Sequence, residues 1–134
     1  MRKFLLILGL LLMSMVAVAD DLPVIGGVKA LRTPVESIVR EAGRGDQADL
    51  GALGGYSAEA DKAWKLAMSE PLDWDRYGIA ADRQEEAWRR LRLLGMLIGY
   101  MDEAAKRGDR ALMLRAAGML PDAYQQLAAM LGLR

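Results

Sequence analysis

The chain has 134 residues, 18 basic and 18 acidic side chains and a hydrophobic fraction of 53%. It contains no cysteine and no histidine, which excludes disulfides, a histidine general base and the commonest ligand of metals and haem. The balanced charge provides no electrostatic attraction to nucleic acid, so we expect no nucleic-acid partner.

The N-terminal segment has the three parts of a cleaved secretory signal: a cationic start, an apolar run and small residues at its end. These parts are Arg2 and Lys3, residues 4–18, and Ala17 and Ala19. We therefore expect a signal peptide over residues 1–19 and a single mature domain over residues 20–134, periplasmic or secreted, that meets the membrane only during export. An uncleaved membrane anchor is the alternative.

Apolar residues of the mature chain recur at spacings of three and four in four segments, as on one face of a helix. The stripes are Val28, Leu31, Val35, Ile38, Ala42; Leu50, Leu53, Ser57, Ala60, Trp64, Ala67; Ala87, Leu91, Leu94, Ile98, Met101, Ala105; and Met113, Ala116, Leu120, Tyr124, Leu127, Leu131. Because four such stripes can cover one another, the pattern predicts an all-α fold, an antiparallel up-down four-helix bundle.

Glycine, aspartate and proline mark the connections between these segments. Gly45-Asp46 and Gly108-Asp109 each predict a helix end followed by an aspartate that caps the next helix. The link over residues 71–77 is polar, so Trp74 within it is expected to be more exposed than Trp64 and Trp88, which are expected to be largely buried. Pro34 either begins the first helix or kinks one that starts at Pro23, and Pro121 is expected to bend or interrupt the fourth.

The chain resembles the cytochrome c-prime group and its b-type relatives, which are secreted four-helix bundles. The resemblance lies in the signal peptide, the A-x-R-G-D turns at 42–46 and 105–109, the link Pro71-Leu72-Asp73-Trp74 and the helical hairpin over 104–127. The family attaches haem through C-x-x-C-H near the C-terminus, where this chain reads Leu120-Pro121-Asp122-Ala123-Tyr124-Gln125. The resemblance therefore implies the bundle fold without covalent haem.

The polar residues do not form a recognisable catalytic set. Each carboxylate in the pairs Glu85–Arg89, Glu86–Arg90, Asp102–Lys106 and Glu103–Arg107 has a cation four residues later. This pattern is typical of a solvated helix face, and the alternative, a di-metal carboxylate site, would require histidines. Ser37, Ser57 and Ser69 have no histidine to activate them. We therefore expect no enzymatic activity and no cofactor.

The sequence favours binding as the function, at one of two places. The first is an interior pocket for an apolar small molecule, in the space that a haem would occupy in the family, lined by Trp64, Trp88, Met113 and Tyr124. The second is a protein interface, including a homodimer, on a second apolar stripe of Leu93, Leu97 and Tyr100.

The methionines support a different function. The mature chain has methionines at 68, 96, 101, 113, 119 and 130, and thioethers are soft ligands that suit Cu(I). A Cu(I) carrier, or a carrier of non-covalent haem, is therefore the alternative to the binding function. The competing interpretation is that these methionines fill gaps in the core.

Overall fold

Four α-helices make up most of the computed structural model, which describes residues 22–133. They are α1 (Pro23–Ala42), α2 (Leu50–Ala67), α3 (Gln84–Arg107) and α4 (Arg110–Met130). Short 3-10 helices at Gly45–Gln47, Trp74–Tyr77 and Ala81–Arg83 lie in the connections, and residues 22–133 contain no strand. The all-α prediction is confirmed. The predicted signal peptide and the cleavage site before Asp20 lie outside the described residues.

The helices pack mainly as two sequential pairs, α1 with α2 and α3 with α4, and less extensively α2 contacts α3 and α1 contacts α4. Their facing stripes form one hydrophobic core. Its largest fully buried side chains are Leu31, Ile38, Leu53, Leu91, Leu94, Ile98, Met101, Met113, Leu120, Leu127, Val24 and Val28. All of these residues except Val24 belong to the stripes predicted from the sequence. Within residues 22–133, no helix has the length and hydropathy needed to cross a membrane.

The two predicted turns end their helices differently. Gly108 has a positive φ of 66° at the end of α3, and the Asp109 carboxylate accepts a hydrogen bond of 3.0 Å from the Leu112 amide, as predicted. The prediction that Asp46 caps α2 is wrong. Asp46 lies within a 3-10 turn, and Asp49 is the cap, accepting from the Ala52 amide at 3.1 Å.

The segment between α1 and α2, residues 43–49, is held in place by contacts that the spacing of apolar residues did not indicate. The carboxylate of Glu41 accepts a hydrogen bond of 2.7 Å from the backbone amide of Asp49. Arg110, at the start of α4, donates to the backbone carbonyl of Ala48 at 2.5 Å. The two A-x-R-G-D turns therefore meet at the same end of the structure.

The prolines do not divide the helices. Helix α1 begins at Pro23 and continues through the buried Pro34, so the alternative that it begins at Pro34 is wrong. Pro121 lies within the continuous helix α4, so the predicted interruption does not occur. Tertiary packing of α1 and α4 compensates for the loss of the helical hydrogen bond that each internal proline removes.

The connection from α2 to α3 folds back onto the core, and the prediction that Trp74 is more exposed than Trp64 and Trp88 is wrong. Trp74 is 3% exposed. Its ring packs edge-on against Trp88 at 5.9 Å and Tyr77 at 6.0 Å. The side-chain amide of Gln84 fastens the loop by donating to the Asp75 carboxylate at 2.7 Å and to the Ile79 carbonyl at 3.1 Å. Burial of an aromatic surface outweighed the polar character of its neighbours.

Candidate interaction surface

The side of α3 opposite its core stripe carries one continuous row of exposed residues. We call this row the α3 outer strip: Glu85, Arg89, Arg92, Met96, Gly99, Tyr100, Glu103 and Arg107. The row advances by three or four residues at each step, and the adjacent Gly99 and Tyr100 follow Met96 at spacings of three and four, which keeps all of these positions on one face of the helix. Each turn of α3 therefore contributes an exposed residue to the strip.

The centre of the α3 outer strip is apolar, whereas both of its ends are charged. Met96 is 52% exposed and Tyr100 is 46% exposed, and both are among the large hydrophobic side chains least covered by the described chain. The exposed Gly99 lies beside them, and a Cβ built at Gly99 would meet no atom within 4 Å. A second helix backbone therefore has room to approach the centre of the strip.

Each end of the strip carries an ion pair of opposite charges four residues apart. Glu85 and Arg89 approach to 4.0 Å at one end, and Glu103 and Arg107 approach to 3.1 Å at the other. Next to the centre, the Arg92 guanidinium lies 5.7 Å from the centroid of the Trp88 ring. Exposed pairs of this kind add little to stability, but they provide charges that a partner can recognise.

The α3 outer strip borders a depression toward α4. A depression of about 470 Å³ is lined by Asp82, Glu85, Glu86, Arg89, Arg90 and Leu93. Arg90 also donates a hydrogen bond to Gln126 of α4, while the Asp109 amide donates to the Ala104 carbonyl at the turn. The register between these two contacts places Met119, which is 53% exposed, level with Met96. Met119 is thus an exposed methionine of α4 at the same height as the apolar centre of the strip.

The structure separates the three residues of the predicted interface. Tyr100 is exposed, Leu93 is half-buried against the core, and Leu97 is only 2% exposed. Leu97 is therefore corrected to a core residue, because its face of α3 is already covered within the chain. Met96 is the residue that sequence reasoning missed. The sequence did contain a signal for it: Met96 lies four residues from both Arg92 and Tyr100, which places all three residues on the same face of the helix.

The four residues of the predicted interior pocket take different positions. Met113 is fully buried in the hydrophobic core, and Trp88 packs against Trp74. The indole Nε1 of Trp64 donates to the Leu91 carbonyl at 3.1 Å. Both Trp64 and Trp88 are partly buried against the core, which agrees with the expectation that they are largely buried. These three side chains therefore serve packing between helices.

Tyr124, the fourth residue of that set, lies at an open groove. The groove has a volume of about 480 Å³, and Tyr124 lines it together with Lys29, Arg32, Gly132 and Leu133. Burial raises the pKa of the Tyr124 phenol above 10.0, although the positive charge of Arg32 opposes this increase. The groove thus combines cationic side chains with a phenol that holds its proton firmly.

The charged face of α3 follows the sequence prediction. All four predicted pairs form: Glu85–Arg89, Glu86–Arg90, Asp102–Lys106 and Glu103–Arg107. Among residues 22–133, no group of three or more histidine, cysteine, aspartate or glutamate side chains is placed to hold a metal ion. The carboxylates of α3 therefore pair with cations along the helix surface.

The methionines occupy both the core and the surface. Met101 and Met113 are fully buried, whereas Met96 and Met119 are about half exposed. Two of these thioethers therefore fill the core as ordinary hydrophobic residues do. The carrier function through methionine thioethers stays a prediction.

Comparison with known proteins gives no match: no protein-family model fits the chain, and no curated protein or solved structure is significantly similar to it. The resemblance to the cytochrome c-prime group stays a prediction.

Proposed function

We propose that this chain is a non-catalytic interaction protein of the periplasm or extracellular space, which binds a protein partner through the α3 outer strip. The observation that carries the proposal is the exposed apolar centre at Met96 and Tyr100, framed by ion pairs at both ends. An apolar centre within a polar rim is the usual layout of a protein interface. The balance of charges along the strip favours a specific protein surface over a generally anionic one.

The scaffold proposed for this surface is an antiparallel up-down four-helix bundle. Contacts between α2 and α3 support an antiparallel arrangement of these two helices, because the residue numbers of the contacts rise along α2 as they fall along α3. Ser57 donates to the Ile98 carbonyl at 3.5 Å, and Trp64 donates to the Leu91 carbonyl. A Cβ built at Gly54 would lie 3.1 Å from that of Ala105. In such a bundle the α3 outer strip faces away from all three other helices.

Packing at Trp64 favours a surface function over an interior pocket. A Cβ built on Gly95 would lie 2.5 Å from Cζ2 of the Trp64 indole. This indole therefore already fills the space between α2 and α3 at that level. A protein partner on the outer strip requires no such space.

Site-specific photo-crosslinking in the cells that make the protein tests the proposal. A photoreactive phenylalanine analogue at Met96 should give a covalent adduct with a protein, whereas the same analogue at Ala58 should not. Ala58 is the matched control because it is exposed on α2 and lies off the strip. Equal adducts from both positions, or none from Met96, would contradict the proposed function.

The groove at Tyr124 supports a second candidate, binding of an apolar small molecule. Its wall includes Leu133, and the neighbouring depression of about 350 Å³ shares Arg32, Tyr124 and Leu133. A fluorescent anilinonaphthalene sulfonate probe should bind the wild type more tightly than a Tyr124→Ala variant. Unchanged probe binding in that variant would remove this candidate.

A further inference from the structure

The charges of the α3 outer strip have opposite signs at equal distances on either side of Met96. Arg89 precedes Met96 by seven residues, and Glu103 follows it by seven. Glu85 precedes Met96 by eleven residues, and Arg107 follows it by eleven. At a rise of about 1.5 Å per residue, both charges of each pair lie at matching distances from Met96 along the helix. All four side chains are exposed.

This arrangement is complementary to itself when the helix is reversed. If a second α3 lies antiparallel with its Met96 against the first, Arg89 faces Glu103 of the second copy and Glu85 faces Arg107 of the second copy. A two-fold axis then repeats both pairs, as in every isologous dimer. Arg92 also comes to face Tyr100 of the second copy, where a cation can lie over an aromatic ring.

We propose that the partner of the α3 outer strip is a second copy of this chain, paired antiparallel about a two-fold axis at Met96. The proposal rests on the proposed function, because it names the occupant of the same surface. A parallel two-fold pairing would instead set Arg89 against Arg89 and Glu103 against Glu103, and like charges in an interface are unfavourable.

The centre of the strip suits such a helix pair. Met96 of each copy lies on the axis, and its flexible thioether adapts to an apolar neighbour. Gly99 carries no side chain that would separate the backbones, so the two helices can approach closely. A single helix pair buries an area near the lower end of stable interfaces. We therefore expect a reversible dimer with a dissociation constant in the micromolar range.

The absence of cysteine from the sequence allows a direct test of the axis. A Met96→Cys variant has its only thiol at the proposed axis, so mild oxidation should link two chains through a disulfide. The matched control is Ala58→Cys, whose thiol is exposed on α2. Linking of Met96→Cys at a rate well above that of the control supports the proposal. Equal rates would overturn it.

Charge exchange tests the register of the pair. Arg89→Glu and Glu103→Arg should each weaken dimerisation by about tenfold or more, because each substitution sets like charges together at two symmetry-related places. The double variant Arg89→Glu/Glu103→Arg should restore the affinity to within about threefold of the wild type, because it re-forms both pairs with reversed signs. Sedimentation equilibrium measures these dissociation constants.

Lys65→Glu is the matched control for the charge exchange. It breaks an equivalent helical ion pair, Lys65–Asp61 at 2.8 Å, but on α2 and off the strip. It should leave the dissociation constant unchanged, and circular dichroism should show unchanged helicity in all the variants. A double variant as weak as either single variant would overturn the proposed register.

The two proposals fail in different ways. A wild type that stays monomeric at high micromolar concentration would overturn self-pairing. If the Met96 photo-crosslink then joins this chain to a different protein, the proposed function still holds. If that crosslink also fails, both proposals are wrong.

Discussion

Gly95 of α3 lies against the indole of Trp64 of α2 so closely that the glycine has no room for a side chain. A Cβ added at Gly95 would lie 2.5 Å from Cζ2 and 2.6 Å from Cε2 of the indole. The hydrogen bond from Trp64 Nε1 to the Leu91 carbonyl fixes the ring in this position. The contact sets the distance between α2 and α3, and therefore the position of the helix that carries the outer strip.

Gly95→Ala should consequently destabilise the protein by about 1 to 3 kcal/mol, because the indole must move or the helices must separate. Gly118→Ala is the control, since a Cβ there would meet nothing within 4 Å. It should raise the free energy of unfolding by about 0.4 to 1 kcal/mol, as glycine replacements at unstrained helix positions do. Urea denaturation of both variants measures the difference. A stabilising Gly95→Ala would show that α2 and α3 pack less closely.

Two neighbouring glycines of α1 should respond in opposite directions. A Cβ at Gly27 would lie 2.6 Å from the backbone nitrogen of Ala67 and 2.7 Å from the Ala63 carbonyl oxygen, whereas a Cβ at Gly26 would meet nothing within 4 Å. Gly27→Ala should cost about 3 kcal/mol, because backbone atoms cannot rotate away. Gly26→Ala should stabilise by about 0.4 to 1 kcal/mol. Thermal unfolding of the two variants gives the comparison, and equal effects would contradict this packing of α1 on α2.

The sequence predicted the helices and their core well because both depend on local periodicity. Leu91, Leu94 and Ile98 are buried as their spacing indicated. Leu97 was misassigned, since the periodicity alone does not say how far the neighbouring helix α4 covers the flank of a core stripe. Of the apolar centre of the α3 outer strip, the sequence predicted Tyr100 as an interface residue and missed Met96, whereas the ion pairs at both ends were predicted as a solvated helix face. The charge symmetry of the strip about Met96 becomes meaningful only once the structure shows that all of its positions are exposed.

Trp74 should contribute more to stability than Trp88, which reverses the order expected from the sequence. Trp74 is 3% exposed and contacts two aromatic rings, whereas Trp88 is only partly buried. Trp74→Ala should cost about 3 to 5 kcal/mol, typical of a large buried aromatic side chain. Trp88→Ala should cost less because it exposes less apolar surface. Chemical denaturation measures both values, and a larger loss for Trp88→Ala would contradict the fold of the link.

The helix caps predict that replacing Asp46 and replacing Asp49 have different effects on stability, although the two aspartates are close in sequence. Asp49→Ala and Asp109→Ala should each cost about 1 kcal/mol, because each carboxylate accepts a hydrogen bond from an amide in the first turn of its helix. Asp46→Ala is the control, since Asp46 lies in a 3-10 turn and not at the start of α2. It should change the free energy of unfolding by less than about 0.5 kcal/mol. A larger loss at Asp46 than at Asp49 would restore the sequence-based assignment of the cap.

The Tyr124 phenol should make the stability of the protein fall at alkaline pH. Its pKa is raised mainly by burial, so above pH 10.0 the folded state holds this proton more firmly than the unfolded state does. The free energy of unfolding should therefore decrease as the pH rises through this range.

Tyr124→Phe isolates the phenol because it removes the ionisable group and retains the ring. Lys65 and Lys106 also have raised pKa values, since hydrogen bonds to Asp61 and Asp102 favour their charged forms, and both lysines remain in the variant. Urea denaturation at about pH 9 and about pH 11 should show a smaller loss of stability in Tyr124→Phe than in the wild type. In parallel, a titration followed by the near-ultraviolet absorbance of phenolate should show one fewer tyrosine ionising above pH 10.0 in the variant than in the wild type. Identical pH dependence in the two proteins would show that the Tyr124 ring is open to solvent and that the groove does not bury it.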